Sequence, residues 1–69
     1  MVTTTYQVQG MTCGHCVSAV SAEVGAIPGV RDVRVELSSG QVTVDSETPL
    51  DVASVRAAVD EAGYELVDA

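Results

Sequence analysis

Between Thr5 and Gln9 polar and apolar residues alternate, Thr5-Tyr6-Gln7-Val8-Gln9, which is the period of a strand with one buried face. The period then lengthens. Val17, Val20, Val24 and Ile27 recur at helical spacing, and Gly25, Pro28 and Gly29 close that helix. A second strand is expected from Val30 to Leu37, with Val33, Val35 and Leu37 on one face and Arg34 and Glu36 on the other. Ser38-Ser39-Gly40 reads as a hairpin turn, and Gln41-Val42-Thr43-Val44-Asp45 as the returning strand. Thr48-Pro49 predicts the start of a second helix, with Thr48 as N-cap and Pro49 at the first helical position. Val52, Val55, Val59 and Ala62 repeat the stripe of the first helix, Gly63 stops it, and Tyr64-Glu65-Leu66-Val67 forms the last strand.

The order strand, helix, strand, strand, helix, strand is the split βαβ pattern. It predicts an α+β fold, the ferredoxin-like βαββαβ sandwich, with a four-stranded antiparallel sheet carrying both helices on one face. At 69 residues the chain is expected to be a single domain over residues 1–69. Such an architecture hosts many unrelated activities, so function has to be read from a site.

Composition narrows the partners. The hydrophobic fraction is 46%, with valine the commonest apolar residue, and the aromatics are Tyr6 and Tyr64 alone. A formal charge of -7 stands against Arg31, Arg34 and Arg56, with no lysine, which argues against nucleic acid or an anionic membrane surface. No apolar stretch approaches the roughly 20 residues that span a bilayer, so no membrane insertion is expected. Met1-Val2-Thr3-Thr4 lacks the basic start of a secretory signal. A cytoplasmic setting follows as the expectation, and there the cysteines are mainly thiols.

Those cysteines supply the chemistry. Cys13-Gly14-His15-Cys16 lies between the first strand and the first helix, and its spacing lets both sulfurs converge on one point. Such a pair can hold a soft metal or close into a disulfide. A bridge across so short a loop constrains little of the unfolded chain, so stability has to come from the apolar core. Cys13 is expected on the loop and Cys16 on the first helical turn, where the helix dipole and unpaired backbone N–H groups favour thiolate over thiol. Gly14 is expected to let the loop bend so that both sulfurs face one ion. Two soft thiolates suit Cu(I), whereas structural Zn wants four ligands.

Gly10-Met11-Thr12-Cys13-Gly14-His15-Cys16, followed by Ile27-Pro28-Gly29-Val30 and Gly63-Tyr64, resembles the heavy-metal-associated (HMA) domain from Tyr6 to Val67. The likeness is to small bacterial copper chaperones and to the N-terminal metal-binding domains of copper-transporting P-type ATPases. It implies a non-enzymatic Cu(I) carrier with Cys13 and Cys16 as metal ligands, passing the ion to a copper-transporting ATPase or another CxxC acceptor by thiolate exchange. The metal-free state is expected to be a monomer, and Cu(I) shared between two loops is a route to a copper-bridged dimer. Zinc-handling members tend to carry an acidic residue just before the first cysteine, where this chain has Thr12, which tilts the metal towards Cu(I) over Zn(II), with Ag(I) left open. The Met1 start favours a free chaperone over an excised ATPase domain. Members of eukaryotic origin carry a lysine near the loop, and this chain has none.

Other residues near the motif have plainer readings. Met11 is expected as a core filler rather than a third sulfur ligand, and His15 as a solvent-facing side chain that tunes the thiols rather than binding metal. Thr12 reads as a polar loop or capping residue. The resemblance brings Tyr64 close to the loop as a shield, while at face value it is a half-buried strand aromatic. Asp45, Glu47, Asp51, Asp60, Glu61, Glu65 and Asp68 read as a solvated acidic surface. A rival function is thiol-disulfide oxidoreductase, because Cys-Gly-His-Cys is also the active-site string of protein disulfide isomerase. That enzyme resembles thioredoxin, which needs a longer chain, an aromatic before the first cysteine and a cis-proline facing the pair.

Overall fold

In the computed structural model, which describes residues 1–67, the elements follow in the expected order: β1 (Val2–Gln9), α1 (Gly14–Gly25), β2 (Val30–Glu36), β3 (Gln41–Ser46), α2 (Val52–Glu61) and β4 (Glu65–Val67). The strands form one sheet in the order β2-β3-β1-β4, with every neighbouring pair antiparallel. This is the ferredoxin-like α+β fold.

Alternation along the strands sorts the sheet into two faces. Val8 of β1, Val42 and Val44 of β3 and Leu66 of β4 point into a core completed by Val20 and Val24 of α1 and Val55 and Val59 of α2. Small β-branched side chains dominate, so the helices can lie close on the sheet without large aromatics. The opposite face is polar: Thr3 Oγ1 donates to Asp45 Oδ1 at 2.8 Å, and the hydroxyls of Thr5 and Thr43 meet at 3.4 Å. On the edge strand β2, Arg31 pairs with Glu47, while Arg34 lies 3.4 Å from Asp32 and 3.2 Å from Asp45.

Several boundaries depart from the expectation. β1 begins at Val2 rather than Thr5, because Thr3 and Thr5 line the polar face while Val2 and Thr4 stay in register with Ser46 and Val44. Ile27 lies beyond the end of α1, although it still packs against the core. Leu37 belongs to the turn, not to β2, and is exposed. Tyr64 precedes β4 instead of opening it.

The start of α2 corrects the expected cap. Asp51, not Thr48, is the N-cap, its carboxylate accepting from Ala53 N–H at 3.1 Å, so Pro49 lies outside the helix. Proline holds the residue before it in an extended conformation, and the Thr48 carbonyl is already taken by the Ser46 hydroxyl at 2.7 Å. Leu50 and Val55, both in the core, sit at the N′ and N4 positions of a hydrophobic staple that fixes where the helix begins.

Candidate metal centre

β1 ends where the core ends, and the chain crosses to α1 over Gly10-Met11-Thr12-Cys13. Met11 packs against the core and pins the loop from below, as expected of a filler. Cys13 is the N-cap of α1, with extended backbone (φ -155°, ψ 176°), and its carbonyl accepts from Cys16 N–H at 3.0 Å. An N-cap usually offers a hydroxyl or carboxylate to the free N–H groups of the first turn, but here the side chain is a thiol and makes no such bond. The first turn also carries no acidic residue. Its positive end is therefore left to the sulfurs.

Cys16 follows one turn on and falls in line with Val20 and Val24, so α1 buries it as part of its apolar face. Its Sγ lies 3.6 Å from Cys13 Sγ, and both cysteines are free thiols. Cys13 is exposed and Cys16 buried, which makes an asymmetric pair with one open sulfur and one held sulfur. Two neighbours hold it. Thr12 donates its backbone N–H to Cys16 Sγ at 3.4 Å, with its hydroxyl at 3.9 Å, and the Tyr64 hydroxyl lies near enough to act on the same sulfur.

These donors stabilise the thiolate. Cys16 is lowered from 9.0 to about 6, first by the Tyr64 hydroxyl, then by the Thr12 N–H, with burial opposing and the Cys13 N–H and thiol adding further support. The reciprocal effect raises Tyr64, whose proton is retained by the thiolate it serves. These contacts thus favour Cys16 in its thiolate form, the form in which a thiol binds a soft metal.

The structure places the remaining expected residues as follows. His15 is exposed on the first turn of α1. Tyr64 is half-buried and reaches the loop, as the resemblance implied. Gly14 does not bend the loop: it is helical, with nothing within 4 Å of a Cβ placed on it, and the left-handed residue is Gly10. The Thr12 N–H bond was not legible, since a backbone donor leaves no mark on residue type. Among the described residues no group of three or more His, Cys, Asp or Glu side chains is placed to hold a metal ion, so the donors present are the two sulfurs.

With this geometry in view, the sequence model of the heavy-metal-associated domain matches residues 5–65. The chain is 39% identical over 61 residues to the copper chaperone CopZ of Staphylococcus aureus, covering 87% of this chain and 90% of that protein. It is 41% identical over 61 residues to copper-transporting ATPase 1 of Rhizobium meliloti, covering 88% of this chain but spanning only 7% of the ATPase. A solved structure described as the CopZ metallochaperone superposes with a TM-score of 0.88 at 36% identity, covering 96% of this chain and 100% of that one.

Proposed function

The chain belongs to the heavy-metal-associated domain family, and from that premise we propose that it is a cytoplasmic, non-enzymatic Cu(I) metallochaperone, a single domain over residues 1–69, with Cys13 and Cys16 as its metal ligands. The observation that carries the reading is the sulfur pair, 3.6 Å apart at the N-terminus of α1 with one member open to solvent. Thiolates select soft ions, and two of them satisfy Cu(I) where a structural Zn site needs four ligands. The relatives named copper chaperone and copper-transporting ATPase support the same ion.

Delivery follows from the asymmetry. An incoming thiolate of the acceptor adds to the ion on its exposed side, giving a three-sulfur intermediate, and Cys13 leaves before Cys16. One ligand is gained for each one lost, so the ion is never released to water. The acceptor is a CxxC domain of a copper-transporting ATPase. A second reading, that the chain is itself a metal-binding module of such an ATPase, is favoured by the 41% identity to a segment of one.

X-ray absorption on the Cu(I)-loaded protein tests the ligand set. A shell of sulfur alone is expected, unchanged in His15→Ala. A Cu–N shell in the native protein that disappears in the variant would make His15 a ligand and contradict the two-thiolate reading.

A further inference from the structure

Gly10 ends β1 in a left-handed conformation, φ +97°, and a Cβ placed on it would lie 3.2 Å from Cδ1 of Tyr64. That separation is tighter than ordinary van der Waals contact, so the ring sits directly against the bare backbone where the loop begins. Tyr64 arrives from the opposite end of the chain. α2 closes in a Schellman motif: Gly63, at φ +94°, donates to Asp60 C=O at 2.9 Å, and Tyr64 N–H donates to Val59 C=O at 3.1 Å. Val59 and Tyr64, the C3 and C″ positions of the motif, both join the core. The backbone of Tyr64 is fixed by this turn and the ring by Gly10, and the hydroxyl lies close enough to Cys16, itself 6% exposed, to act on its sulfur.

We infer that Gly10 is a positioning residue of the metal centre: its bare Cα seats the Tyr64 ring, and through that ring it keeps Cys16 covered while Cys13 stays open. The value of this arrangement to a carrier rests on the function proposed above, but the arrangement belongs to the metal-free protein. A methyl at position 10 would force the ring to give by a few tenths of an ångström, on top of the strain an L residue meets at φ +97°, and the backbone on either side of the contact is tied, by β-pairing at Gln9 and by the Schellman bonds at Tyr64. Moving the ring uncovers Cys16 without touching either cysteine.

Alkylation of the reduced, metal-free protein by iodoacetamide tests this without any metal, so failure here is distinct from failure of the copper reading. Alkaline pH reduces the weight of differences in thiol acidity, so that the ratio of the two rates reports access. Fragment-ion mass spectrometry follows the two positions separately, with Cys13 as internal reference. In the native protein Cys13 reacts first. Gly10→Ala and Tyr64→Ala should each raise the Cys16 rate several-fold relative to Cys13, and the double variant should react no faster than Tyr64→Ala alone. An unchanged Cys16 rate in Gly10→Ala would overturn the inference, as would a Gly10→Ala effect that persists in full once Tyr64 is alanine. If Gly10→Ala does not fold, Tyr64→Ala decides: slow reaction of Cys16 with the ring removed and Gly10 intact contradicts the role given to the seat.

Discussion

Cys16 is a core residue whose sulfur also receives polar contacts. Its position one turn before Val20 gives it the burial of a small hydrophobe, while the Thr12 N–H donates to its sulfur and the nearby Tyr64 hydroxyl lowers its pKa. Because the folded thiol is lowered to about 6 from 9.0, the unfolded chain binds the proton more tightly between those values. The Cys16 contribution is therefore complete above about pH 9 and is lost as pH falls through about 6. Chemical denaturation of the metal-free reduced protein across that window should show this loss, and Cys16→Ser should remove that part of the pH dependence. Identical slopes for the two proteins would mean that the sulfur is not held as a thiolate. The cysteines and their spacing were legible at once, because residue type carries them. Thr12 was not, because its contribution comes from the backbone.

At the level of elements, what periodicity reports is burial. Val20, Val24, Val55 and Val59 were found by helical spacing, and each is fully buried. Val24→Ala should cost about 2 kcal/mol, by lost burial and an unfilled cavity, measured as a shift in the urea midpoint at constant slope. Ends were harder to read, since they depend on which side chain wins a competition. Thr48-Pro49 is a sound helix start in isolation, but Asp51 reaches the free Ala53 N–H and Leu50 anchors the entry to the core. Asp51→Ala should then destabilise by about 1 kcal/mol and Thr48→Ala by much less. The reverse order would return the cap to Thr48. β1 was read short for a related reason: threonine serves on either face of a sheet, so Thr3-Thr4-Thr5 shows no alternation, although Thr4 opposes Val44 inside and Thr5 opposes Thr43 outside.

Across the whole molecule the charge is uneven. Arg31 and Arg34 lie on β2, at the opposite edge of the sheet from β4, and are paired with acidic neighbours. Exposed Asp60, Glu61 and Glu65 flank Tyr64 in sequence, α2 also carries Arg56, and α1 carries no basic residue other than His15. Of the acidic residues first read as a solvated surface, Asp51 caps α2, Asp45 and Glu47 are paired, and Asp68 lies outside the described residues. An acceptor with a basic rim would be steered by this acidic surface. Raising salt from about 10 to 150 mM shortens the screening length from roughly 30 to 8 Å, so stopped-flow transfer of Cu(I) to such an acceptor should slow. Rates independent of salt would leave the acidic surface with solubility alone.

The central claim is that Cys13 and Cys16 together make the Cu(I) site, and competition with a strong Cu(I) chelator under reducing conditions measures it directly. The native protein should withdraw one Cu(I) per chain at low loading, Cys13→Ser and Cys16→Ser should each compete poorly, and the double variant should not compete. A double variant that still took copper from the chelator would contradict the account.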